Sequence, residues 1–95
     1  MSVTNSYVVT NTTIRKDGVK IFIPVIDVEV FFSYITALRY LADVKRAFKE
    51  IGSTVTQHFQ KYHNNYGRET LGSLHIYRKG VYDKFVITRI PIMDK

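Results

Sequence analysis

Apolar and polar positions follow two different periods along this chain. From Tyr7 to Arg15, and again from Val19 to Ile26, the apolar residues are β-branched and bunched on either side of Lys16-Asp17-Gly18. Asp-Gly between two such runs is a strong hairpin signal, because a type I′ turn needs positive φ at both central residues. A first hairpin is therefore predicted over about 7–26. Pro24 has no N–H for a ladder and belongs at an edge or near a strand end. From Val30 to Ile51 the period lengthens. Phe31, Tyr34, Ile35, Leu38, Leu41, Val44, Phe48 and Ile51 recur at spacings of three and four, which predicts one long helix over about 30–51. Gly52 is a natural stop, Lys45, Arg46 and Lys49 suit the negative end of the helix dipole, and Asp27 and Ser33 are both candidate N-caps. Arg39, Asp43, Arg46 and Glu50 describe a solvated stripe of alternating sign on the opposite face. Leu38, Leu41 and Phe48 are the expected core residues. Val28 and Phe32 lie off the main stripe, so a second contact is expected, through Val28, Phe32 or Tyr40, with a second helix or in a homodimer.

Residues 53–66 fit both periods. As a helix, Val55, Phe59, Tyr62 and Tyr66 form one stripe, Ser53 caps and Gly67 stops it. As a strand, Thr54-Val55-Thr56 has the propensity but Val55, Gln57, Phe59 and Lys61 make a poorer face. Counting matches favours a second short helix over 54–66. A second hairpin is predicted over about 71–90, around Arg78-Lys79-Gly80 and ended by Pro91. The fold class expected is α+β: a mostly antiparallel sheet from two hairpins, with the long helix packed on one face.

Composition narrows this further. Thirty of the 95 residues are Ile, Val or Thr, which argues against a helical bundle. The length suits one domain spanning 1–95. There is no cysteine, which removes disulfide scaffolds, thiolate zinc sites and thiol nucleophiles. The first eighteen residues show no basic region followed by an apolar run, so no secretory signal is expected. Val19 to Leu41 is interrupted by Lys20, Asp27, Glu29 and Arg39, so no membrane span is expected either. The chain reads as soluble and cytoplasmic.

Charge supplies the candidate chemistry. The net charge is +6, and it is uneven: residues 1–50 carry seven Lys and Arg against five acids, residues 51–95 seven against three. In the second half the cations are interleaved with rings and amides, from His58 to Arg68 and from His75 to Phe85. Nucleic acid calls for such a mixture, with cations for phosphates, planar rings for unpaired bases and amides for edges and sugars. The expected partner is DNA, RNA or a nucleoprotein complex. Lys61, Arg68, Arg78, Lys79 and Lys84 are the candidate phosphate contacts, and Tyr77 and Tyr82 the stacking groups, ahead of Tyr62 and Tyr66. The competing explanation is a basic domain that solubilises itself and keeps its tyrosines in the core.

Catalytic motifs are weaker. Lys79 to Val86 agrees with the RNP1 element of RNA-recognition motifs only in its Lys-Gly start and a late aromatic. His58-Phe59-Gln60 is a degenerate version of the His-hydrophobic-His motif of rolling-circle nucleases, with Gln60 in place of a ligand. The acids are scattered and the five glycines sit at expected turns and caps, so no metal, cofactor or phosphate loop is expected. The reading is thus a binding protein rather than an enzyme. Its alternatives are a non-enzymatic inhibitor or adaptor of viral or mobile-element type that binds a protein, and, further off, a small mRNA-cleaving toxin using His75, Tyr77, Arg78, Lys84 and Arg89.

Overall fold

The computed structural model describes residues 3–17, 20–21, 24–58, 62–63 and 69–93. In chain order the elements are β1 (Val3–Asp17), β2 (Lys20–Ile21), β3 (Val25–Phe31), α1 (Tyr34–Glu50), β4 (Thr54–His58), β5 (Tyr62–His63), β6 (Glu69–Arg78) and β7 (Val81–Met93). All pairings among the described residues are antiparallel. The two ends of the chain meet in the middle of the sheet, where β1 and β7 run together from Val3 opposite Met93 to Arg15 opposite Val81. β2 and β3 pair with the outer side of β1, β6 with the outer side of β7, and β4 and β5 with β6. The sheet is five strands wide and α1 lies across it, an α+β fold.

The helix joins opposite edges, since β3 and β4 flank the sheet on different sides. Four interstrand spacings amount to about 19 Å, and 17 residues of helix reach about 25 Å. One helix of this length therefore bridges the sheet diagonally. Ser33 caps its start and accepts from the Thr36 N–H at 3.4 Å. Its end is a Schellman motif: Gly52, at φ 84°, donates to Lys49 and Ser53 donates to Phe48, each at 3.0 Å.

Register sorts the side chains into two faces, because directly opposite residues share a face and neighbours along a strand alternate. Val9 of β1, Phe85 and Ile87 of β7, and Leu74 and Ile76 of β6 share the face beneath α1, where they enclose Ala37 and Leu41. Tyr34 tilts against Tyr7, Tyr40 against Phe31, and Phe48 meets Phe85 edge-on. Of the expected core residues Leu41 is buried, while Leu38 and Phe48 are half-buried at the margin of the core. Glu69 is buried on this face but ion-paired to Arg89, its cross-strand partner, as a buried carboxylate requires.

Several expectations are corrected. No second helix covers 54–66: Thr54–His58 is a strand, Tyr62–His63 is another, and residues 59–61 and 64–66 lie outside the described residues. The backbone groups along the outer side of β6 need partners, and β-branched Thr54-Val55-Thr56 supplies them while Val55 packs against the core. The long helix begins at Tyr34 rather than 30, because Val28, Val30 and Phe31 are tied into the ladder with β1. Val28 and Phe32 are thus not a second helical face, and Tyr40 packs on Phe31. The sheet is more than two hairpins: β1 begins at Val3, its partner continues to Phe31, and β1 pairs directly with β7. Pro91 does not end the last strand, which runs to Met93. Within it Pro91 lies opposite Asn5 of β1.

Candidate nucleic-acid interface

The face opposite α1 has no covering layer among the described residues. The molecule is 20 Å through its thinnest dimension, which accommodates one sheet and one helix layer and no more. Across this open face the rows read, from one edge to the other, Val28, Thr10, Val86, Ser73, His58; then Ile26, Thr12, Lys84, His75, Thr56; then Ile14, Tyr82, Tyr77, Thr54. Valine, isoleucine and threonine occupy the β1–β3 side. Rings and a cation occupy the β6–β7 side.

The predicted site residues converge at that side. Tyr77 and Tyr82 are direct cross-strand partners with ring centroids 4.7 Å apart, and Tyr77 is 59% exposed. Lys84 lies on the same face, opposite His75. Arg78 and Lys79 are exposed at the hairpin tip. Lys61 and Arg68 lie outside the described residues, as does Tyr66, and Tyr62 falls in β5.

Two further contributors come from the N-terminal half. The tip of the β6–β7 hairpin is a two-residue turn in which both Lys79 (φ 23°) and Gly80 (φ 76°) are left-handed. Its Gly80 carbonyl accepts from the Lys16 N–H at 2.7 Å, which brings Lys16 to the same end of the sheet. Ile14 lies beside Tyr82. Together Ile14, Thr54, Tyr77 and Tyr82 line a shallow hollow of about 770 Å³ whose rim carries Lys16, Arg78 and Lys79. Among the described residues none of Lys16, Arg78, Lys79 and Lys84 is ion-paired, whereas Arg46 and Arg89 are engaged by Asp43 and Glu69.

Next to the tyrosines lies a histidine pair that periodicity alone had dispersed. His58 and His75 stand edge-on with centroids 5.3 Å apart. His75 Nδ1 hydrogen-bonds the Tyr82 hydroxyl, and its Nε2 and the Ser73 hydroxyl lie 3.1 Å apart. Desolvation, then the neighbouring His58 and Lys84, holds His75 below its ordinary pKa, which favours the neutral ring. Desolvation, then Tyr77, raises Tyr82. The pair was legible only from the alternation Thr54, Thr56, His58, the strand reading of a segment whose helical period counted higher.

The described residues hold no group of three His, Asp or Glu placed for a metal, and no helix among them is long and apolar enough to cross a membrane. The chain matches no protein-family model, no curated protein and no solved structure. Its chemistry has to be read from its own surface.

Proposed function

We propose that this chain binds nucleic acid, single-stranded in preference to duplex, on the open face at the β6–β7 end. The observation that carries the reading is the Tyr77–Tyr82 pair, standing on a sheet face left uncovered by the described residues, with Lys16, Arg78 and Lys79 around the hollow and Lys84 further along the same face. Each element has a physical role. The rings offer π-faces to unstacked bases, which stack regardless of sequence. The cations neutralise phosphates and release counterions. Threonine and serine hydroxyls along the same rows offer donors and acceptors to sugars and base edges. A cytoplasmic location belongs to this reading.

The test is a titration by fluorescence anisotropy with single-stranded DNA, single-stranded RNA and duplex DNA at several salt concentrations. Affinity that falls steeply and linearly on a log–log plot against salt, and that is stronger for single strands, is the expected result. No binding to any of the three at low salt overturns it.

A second reading is a protein partner, and the outer edge of β3 favours it. This strand pairs only with β1 among the described residues, and Ile26, Val28 and Val30 along it are exposed, as is Phe32 beyond it. An open edge accepts a further strand. A second copy is the homodimer form of this idea. Two-fold pairing centred on Asp27, Val28 or Glu29 sets acid opposite acid, however, so a partner strand with basic residues at those positions fits better. Light scattering decides between self-association and a monomer.

A further inference from the structure

The histidine pair stands on the surface proposed to hold the nucleic acid. It shares the open face with Ser73, Lys84 and both tyrosines. A pair of imidazoles beside a lysine ammonium is the equipment for cleaving RNA without a metal: one base, one acid and one charge for the phosphate. From this arrangement we infer that the chain is a metal-independent ribonuclease, with His75 as general base and His58 as general acid. The inference rests on the nucleic-acid reading above and narrows its ligand to RNA.

The reaction uses only the substrate's own 2′-hydroxyl. With the Tyr82 oxygen accepting from Nδ1–H, the Nε2 lone pair of neutral His75 is available for a proton, and the Ser73 hydroxyl marks the position it faces. The 2′-oxygen attacks the adjacent phosphorus and its proton passes to Nε2. The bond from phosphorus to the 5′-oxygen breaks, and that oxygen takes a proton from the His58 ring acting as general acid. The products are a 2′,3′-cyclic phosphate and a 5′-hydroxyl, and both rings regain their starting state by proton exchange with water. Lys84, directly across from His75, lies on the side where the non-bridging oxygens gather charge. The groups facing His75 are His58 from β4, Lys84 and Tyr82 from β7, and Ser73 and Tyr77 from its own strand. None is acidic, which suits a base that must stay neutral. Tyr82 is a positioning residue: its hydroxyl holds the ring at Nδ1 and touches no reacting atom.

The experiment incubates the full chain with a short, mixed-sequence single-stranded RNA in excess chelator and follows both binding and cleavage. Products ending in 2′,3′-cyclic phosphate and 5′-hydroxyl are expected, while the all-deoxy strand binds and stays intact. His75→Gln and His58→Gln each slow cleavage by about 100-fold or more with RNA affinity and melting midpoint retained. Tyr82→Phe lowers the rate and shifts the acidic limb of the pH–rate profile, which the base His75 sets, without removing it. RNA that is bound at saturating protein and remains intact overturns the ribonuclease and leaves the binding reading standing. Cleavage that persists at the original rate in the double His58→Gln, His75→Gln variant overturns it equally. Failure to bind any strand overturns the binding reading itself.

Discussion

Lys79 occupies a left-handed position that asparagine or glycine takes at lower cost, since a β-carbon at positive φ is strained by about 1–3 kcal/mol. On the proposed reading this cation serves as a phosphate contact. Lys79→Asn restores the preferred Asn-Gly turn, so the unfolding midpoint should rise, by up to about 1 kcal/mol in stability. The same change should flatten the slope of log affinity against log salt by roughly 0.7–0.9. A midpoint that falls would show that the turn is not strained. His75 gives a second test. Its folded-state pKa lies below the ordinary value of 6.5, so below pH 6.5 the unfolded chain binds the proton more readily. The contribution to stability is therefore intact above neutral pH and is lost as pH falls through 6.5 toward the lower folded value. Denaturant midpoints measured across this range should decline less in His75→Gln than in the parent.

At the level of elements, two contacts decide whether the site exists. Leu41 is 3% exposed at the centre of the helix–sheet contact, and Leu41→Ala should cost about 2–5 kcal/mol, a large share of a small domain's stability. An unchanged melting temperature would mean that the helix presents another face to the sheet. The hairpin tip is the other contact. A β-carbon on Gly80 would lie 2.5 Å from the Lys16 carbonyl oxygen, at a backbone φ of 76°. Gly80→Ala should lower stability by about 1–3 kcal/mol and should weaken nucleic-acid binding beyond that, because the tip that holds Lys16 next to Lys79 must move. Thermal melts and salt-dependent titrations on the one variant read both effects. The Ser33 cap and the Gly52 Schellman turn, in contrast, position the helix without touching the open face.

For the whole molecule, the one-sided sheet is the consequential feature. With α1 on one face and nothing on the other among the described residues, the rings of Tyr77 and Tyr82 are available to a ligand instead of a second layer. Tyr77→Ala should cost roughly 1–3 kcal/mol in binding single strands and little for duplex, whose bases are already stacked. Equal losses for both would assign the effect to the fold rather than to stacking. Asp27 and Glu29 on β3 lie toward one edge, and Lys16, Arg78 and Lys79 gather at the end of the central strands and β6. Nucleic acid should approach from the latter side, and binding should persist when β3 is occupied by a protein strand.

Local physics settled part of this protein. Lys79-Gly80 marks a turn because only certain residues tolerate positive φ. The stripe from Tyr34 to Phe48 specifies a helix with a buried side, and Gly52 ends it, whatever it packs against. Tyr77, Arg78, Lys79, Tyr82 and Lys84 were recognisable as one group because a hairpin brings sequence neighbours together across a tight turn. The remainder depended on contacts between distant residues. Residues 54–58 are a strand because β6 offers an unsatisfied edge, a demand invisible to a helical count of their own side chains. The histidine pair follows from that pairing alone. Lys16 and Ile14 join the site because the first and last strands lie side by side, an arrangement set by burying both β1 and β7 under the helix. Periodicity reports which face of a segment is apolar; it carries no information about which segment lies beside it, and the open face is built from those neighbours.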